Sequence, residues 1–167
     1  MSDFCNKIKT ICCKYKKVAM FIDMDGTIVE YIIHPFGSIT TKSKGLFING
    51  KPIKIVINEL EEISKIENLD LYILSMARSN IIVEEKKEWL KNNASFINEE
   101  NYIILSREAK DYGDDNRNII KSEKILEKLN NGYDYAIFLD DDHKVIHKAQ
   151  ELLKDKCKVF HISSALV

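Results

Sequence analysis

The chain has 167 residues, 45% of them apolar and 31% charged, with 25 basic against 26 acidic side chains and a formal net charge of -1. That length suits one domain spanning 1–167, and the even charge, with Lys and Arg spread along the chain, gives no pull toward nucleic acid or an anionic membrane. No run approaches the ~18 consecutive apolar residues of a membrane-spanning helix.

Residues 1–17, MSDFCNKIKTICCKYKK, contain no unbroken apolar stretch of the signal-peptide kind. Phe4, Ile8, Ile11 and Tyr15 recur at helical spacing, which predicts an amphipathic helix packed on the domain. Cys5, Cys12, Cys13 and Cys157 show no framework spacing, and adjacent Cys12 and Cys13 are geometrically poor disulfide partners. Reduced cysteines in a cytoplasmic protein are expected.

Short β-branched and aromatic runs follow at 18–23, 70–75, 101–106, 135–140 and 158–163. Helical stripes separate the last four, marked by Ile82, Val83, Trp89 and Leu90, by Ile125, Leu126 and Leu129, and by Val145, Ile146, Ala149, Leu152 and Leu153. Another stripe, with Leu60 and Ile63, precedes the second run. Continuous apolar strands alternating with helices predict an α/β, Rossmann-like fold of three layers around a central, mainly parallel five-stranded sheet. Residues 29–56 break the alternation. Asn49-Gly50 stands between apolar runs there and predicts a small β-hairpin flap after strand 1.

The stretch FIDMDGT (21–27) ends the first apolar run with two carboxylates one residue apart, Asp23 and Asp25. Like charges so close repel unless a cation or a phosphate chemistry uses them. In parallel sheets ligands bind at the carboxyl ends of the strands, so the chemistry is expected on one rim. Four features reach that rim: the Asp23/Asp25 pair, Ser75 after LYIL, Lys121 or Lys124 at the start of a helix, and the acids Asp140, Asp141 and Asp142 after YAIFL. Converging carboxylates suit Mg²⁺, a hard cation held by one or two carboxylates, waters and substrate phosphate. A hydroxyl and a lysine can hold phosphate oxygens, leaving one aspartate as nucleophile. A calcium loop is excluded, because its sixth position would be Ile28 and its twelfth His34. Asp142 is expected as a helix N-cap, His143 and His147 as a solvated helix face, and Trp89 as core.

DMDGT resembles motif I, DxDGT, of the haloacid dehalogenase (HAD) superfamily of phosphotransferases. Ser75 then matches motif II, Lys121 motif III, and FLDDD the motif IV form that ends in two acids. The match runs over about residues 18 to 145 in the family's order. The resemblance implies that Asp23 attacks phosphorus and ligates Mg²⁺, and that Asp25 supplies a backbone carbonyl to the metal and serves as acid, then base. It implies that Ser75 and the Met76 N–H hold phosphate, with Lys121 steadying phosphate and Asp23 and Lys124 as the alternate lysine. Asp141 would ligate the metal with Asp140 behind it, Gly26 would let the chain turn, and Thr27 would order the loop. One departure is Val145, where many members carry a further acid. Residues 29–56 are too few for a large helical cap, so a capless or small-cap type is implied. A response-regulator receiver also joins acids, hydroxyl and lysine, but its acceptor aspartate ends a middle strand. The segment with Lys86, Trp89 and Leu90 is similar to the stretch after motif II in the 5′(3′)-deoxyribonucleotidase branch.

The implied activity is a Mg²⁺-dependent phosphomonoesterase with an aspartyl-phosphate intermediate. Its partner would be a small-molecule phosphate ester, first a nucleoside 5′-monophosphate, with no nucleic acid and no membrane. The alternatives are a phosphatase for phosphoprotein or nucleic-acid ends, and a non-catalytic phosphate-binding module on the same fold. Retention of both Asp23 and Asp25 speaks against the last.

Overall fold

The computed structural model describes residues 2–31 and 44–166. Helix α1 (Asp3–Cys12) leads into β1 (Val18–Ile22), α2 (Lys54–Ile63) and β2 (Leu69–Ala77). Then come α3 (Asn80–Asn93), β3 (Tyr102–Ser106), α4 (Ile120–Asn130), β4 (Tyr135–Asp140), α5 (His143–Leu153) and β5 (Cys157–His161). The strands form one sheet in the order β3-β2-β1-β4-β5, and every pairing is parallel. The expected mainly parallel sheet is thus wholly parallel among the described residues.

Alternation along β1 divides the core. Met20 and Ile22 point to one face with Phe4 and Ile8 of α1, Val56 and Leu60 of α2, and Trp89 and Leu90 of α3. Ala19 and Phe21 point to the other with Ile125 of α4 and Val145, Ala149 and Leu153 of α5. All five β1 residues are buried, as a central strand covered on both faces requires. The amphipathic N-terminal segment packs on the domain as expected: its Phe4 ring meets Phe160 edge-on at 5.4 Å, and Ser2 caps the helix by accepting from the Cys5 N–H.

Strand lengths make the rim uneven. The last β1 residue, Ile22, pairs with Ile73 on one side and Leu139 on the other. β2 runs on to Ala77, paired there only with β3, so Ser75 lies inside the strand rather than at its end. This leaves a notch above β1, flanked by Ser75 and Met76 on one side and by Asp140 on the other. β5 also differs slightly from expectation, stopping at His161 because Ile162–Ala165 turns into a 3-10 helix.

The hairpin across Asn49-Gly50 does not form. A two-residue type I′ turn needs positive φ at both central residues, and neither Asn49 nor Gly50 has it. Residues 46–49 instead make a turn in which the Gly50 N–H donates to the Phe47 carbonyl at 2.8 Å, and α2 begins at Lys54. The pairing lies lower: Val29 bridges Pro52 antiparallel, with Glu30 N–H to Lys51 carbonyl and Ile53 N–H to Ile28 carbonyl, both 2.8 Å. This pins the base of the 29–56 segment, whose residues 32–43 lie outside those described.

Candidate active site

Asp23 immediately follows β1, is 5% exposed, and is fixed by its N–H to the Leu139 carbonyl at 3.0 Å. The chain then turns tightly, with the Met24 carbonyl accepting from the N–H groups of Thr27, Ile28 and Val29. Gly26 sits at φ +74°, and a Cβ there would collide with the Asp141 carboxylate, approaching its Cγ to 2.8 Å. Only glycine lets this loop pass so close to the β4 acids. Thr27 is fully buried, but its Oγ1 meets no partner among the described residues, so backbone bonds and not this hydroxyl order the loop.

Lys121, in the first turn of α4, reaches 2.6 Å from both Asp23 Oδ1 and Asp140 Oδ2. All three side chains are buried. The second Asp140 oxygen accepts from the Asp142 N–H at 2.8 Å, so this carboxylate is committed to positioning Lys121 and the β4–α5 turn. Lys124, one turn further, is at the surface with Glu127 at 2.9 Å and does not enter this group. Asp142 caps α5 by accepting from Lys144 and Val145 N–H groups. His147 is exposed beside Glu151, and His143 stacks on His161 with ring centroids 4.7 Å apart.

Carboxylate oxygens of Asp23, Asp140 and Asp141 lie within 4.8 Å of one another. Burial pushes the Asp23 carboxyl up to about 6, the pull of Lys121 notwithstanding, and the Asp140 charge adds to the rise. Burial and then the Asp23 charge push Asp141 up to about 6, and burial raises Asp140 also. Burial works the other way on Lys121, yet Asp23 and Asp140 outweigh it and hold the ammonium above the usual lysine range. An acid that contacts a lysine is ordinarily depressed; here one ammonium serves two buried carboxylates with a third close by, so negative charge stays in excess. A divalent cation would discharge that excess. With Asp140 committed elsewhere, Asp23 and Asp141 are the two carboxylates free to hold it, a hard oxygen set of the size Mg²⁺ takes.

Across the notch, Ser75 is completely buried, and its Oγ accepts from the Lys86 ammonium at 2.8 Å. Lys86 also donates to Asp25 Oδ2 and, at 2.9 Å, to the Met76 carbonyl. Its side chain is 1% exposed and lies against the Phe47 ring, 4.7 Å from the centroid. Sequence reading named Lys86 only within the segment that follows Ser75 and gave it no place at the site, because VEEKKEWLK is charged over most of its length. A signal was present: Lys86 follows Val83 by three residues and precedes Trp89 and Leu90 by three and four, which puts it on the buried face. Neighbouring contacts fasten the 44–50 segment to the same helix. Glu85 accepts from the Gly45 and Phe47 N–H groups, and Trp89 Nε1 donates to the Gly50 carbonyl at 2.7 Å.

No protein-family model matches the chain, and no curated protein matches it in sequence. Two solved structures share the fold. One is a chain in the Pnkp1/Rnl/Hen1 RNA repair complex, 22% identical with a TM-score of 0.60, the alignment covering 89% of this chain and 43% of that one. The other is the HAD domain of the effector protein Lem4 from Legionella pneumophila, 16% identical with a TM-score of 0.54, over 87% and 85% of the two chains. This chain thus spans under half the length of the first. The α/β fold on a five-stranded parallel sheet is one that this chain shares with that HAD domain.

Proposed function

We propose that the chain is a Mg²⁺-dependent phosphomonoesterase that works through an aspartyl-phosphate on Asp23. The observation behind this reading is the convergence, over one strand end, of a buried carboxylate held by Lys121, a second carboxylate two residues on, and the Ser75 hydroxyl. An Asp23 oxygen attacks phosphorus, the bond from phosphorus to the ester oxygen breaks, and Asp25 gives that oxygen its proton. Asp25 then takes a proton from water as the water attacks the acyl phosphate, which releases phosphate and restores Asp23. The Asp25 side chain is 44% exposed, so it can meet both a leaving group and water. Ser75 and the Met76 N–H would hold phosphate oxygens opposite Lys121. Asp23, Asp141 and the Asp25 carbonyl would hold Mg²⁺, which supplies neutralisation of the phosphate charge.

The first substrate class is a small ester such as a nucleoside 5′-monophosphate. Phosphate release from a panel of esters, with Mg²⁺ and with chelator, tests this. Metal-dependent release that favours nucleoside monophosphates supports it, and no release from any ester sinks it. A second reading, removal of phosphate from nucleic-acid ends, is favoured by one observation: the chain shares its fold with a member of an RNA repair complex. A 3′- or 5′-phosphorylated oligonucleotide in the same panel separates the two readings. Among the described residues no helix is long and apolar enough to cross a membrane.

The acid shifts give a metal test with a defined sign. Asp23 and Asp141 titrate near 6 in the folded chain against 3.8 for the ordinary group. The folded state therefore binds these protons more tightly. Their contribution to stability is fully present below about pH 4 and is lost as pH rises through about 6. Mg²⁺ competes with those protons. Millimolar Mg²⁺ should raise Tm at about pH 7.5 and have far less effect at about pH 5. A Tm that Mg²⁺ leaves unmoved at the higher pH would remove the metal from this reading.

A further inference from the structure

Lys86 matches none of motifs I to IV, yet among the described residues it is the most enclosed cation at the rim. Resting on the phosphate reading of Ser75, we propose that Lys86 is a positioning residue that turns the Ser75 hydroxyl into a dedicated donor toward the phosphate. A serine hydroxyl has one hydrogen to give and two lone pairs to receive with. Left alone, it rotates and presents either. The Lys86 ammonium has no lone pair and can only donate, so the contact at 2.8 Å occupies one lone pair of Ser75 and bars the hydroxyl hydrogen from that direction. The hydroxyl hydrogen is then directed away from Lys86, and an unprotonated phosphate oxygen, which can only accept, is the complementary ligand.

The placement of the ammonium is over-determined. Its three hydrogens are taken by Ser75 Oγ, the Met76 carbonyl at 2.9 Å and the Asp25 carboxylate, and the Phe47 ring closes the remaining side. An ammonium buried to 1% exposure is unfavourable unless each of its donors is met, as they are here. A helix needing only an apolar anchor at this position would be served by leucine or methionine. The same contacts also fix where Asp25 stands relative to Ser75, so one lysine from α3 sets the spacing between the loop after β1 and the extension of β2.

A double-mutant cycle on phosphate binding tests this without requiring turnover. Inorganic phosphate would be titrated calorimetrically, in Mg²⁺ buffer, into the wild type, Ser75→Ala, Lys86→Met and the double variant. Ser75→Ala and Lys86→Met should each weaken binding by about tenfold or more, the scale of a lost hydrogen bond to a charged group. Adding Lys86→Met to Ser75→Ala should then cost less than about threefold, because no hydroxyl remains to orient. Lys86→Gln, which keeps an N–H donor without the charge, should bind between wild type and Lys86→Met, and it carries the test if the methionine variant does not fold. Independent, multiplying losses would make Lys86 a structural clamp only and overturn the proposal, as would wild-type affinity in Lys86→Met or Lys86→Gln. A wild type that does not bind phosphate overturns it too. Phosphate binding that follows the cycle, in a protein that releases no phosphate from any ester, would uphold Lys86 and sink the phosphatase reading instead.

Discussion

Asp23→Asn is expected to lower turnover by about ten-thousand-fold or more, the range seen when a nucleophile is removed, and to leave the protein at least as stable as the wild type. The two halves have one physical origin. Asp23 is buried to 5% exposure with an elevated pKa, so its ionised form is held in the fold at a cost in free energy. The amide is nearly the same shape, carries no charge, and can still meet Lys121 through its oxygen. Removing one of three crowded carboxylates therefore relieves repulsion while abolishing the proposed nucleophile. Tm and steady-state turnover on the best ester of the panel check this together. Residual activity near the wild-type level would remove Asp23 as nucleophile. A large drop in Tm would show that the Asp23–Lys121 pair holds the fold more than charge crowding opposes it.

Lys121→Met should behave in the opposite way, losing both activity and stability. It strands Asp23 and Asp140 in the interior without their shared cation, and breaking a buried ion pair from one side costs about 3–5 kcal/mol. The stranded carboxyls can escape part of this by taking up protons, so the deficit should be larger at about pH 8 than at about pH 5. Turnover should fall by about 100- to 1,000-fold, as for loss of one preorganised charge at a reacting centre. Lys124→Met is the matched control. Its surface contact with Glu127 is worth no more than about 0.5 kcal/mol, and neither Tm nor turnover should move appreciably. Urea midpoints and turnover of the two variants decide the matter. A reversed pattern would transfer the motif III role to Lys124.

The sequence revealed those parts of the fold that depend on local pattern. Five apolar runs gave five strands, because strands covered on both faces must be apolar throughout. The acids of DMDGT and FLDDD were legible because carboxylates that end buried strands have few structural reasons to be there. The choice between Lys121 and Lys124 was not legible from spacing, since one helical turn separates them and only the angle at which α4 meets the sheet sends one inward. Lys86 was hidden for a related reason: its neighbours Glu84, Glu85, Lys87 and Glu88 drown its phase in charge. The Asn49-Gly50 hairpin failed because the dipeptide permits a tight turn without compelling one, and here Trp89 Nε1 holds the Gly50 carbonyl while Glu85 holds the two N–H groups upstream.

The sheet order sets the moment in folding at which the acidic cluster and Lys121 can come together. β1 can pair with β2, and β2 with β3, once the chain through Ser106 is available, and the contact between Lys86 and Ser75 spans only 11 residues. A chain paired only through β3 would leave Asp23 without its contacting cation, because Lys121 lies 98 residues downstream. Asp140 and Asp141 arrive only when β4 docks on the opposite edge of β1. Closing that long-range pairing is the entropically slow part of assembling a sheet with a central first strand. On the phosphatase reading, species stalled before it would be inert rather than sluggish, and turnover per mole of chain would count the molecules that have completed the fold.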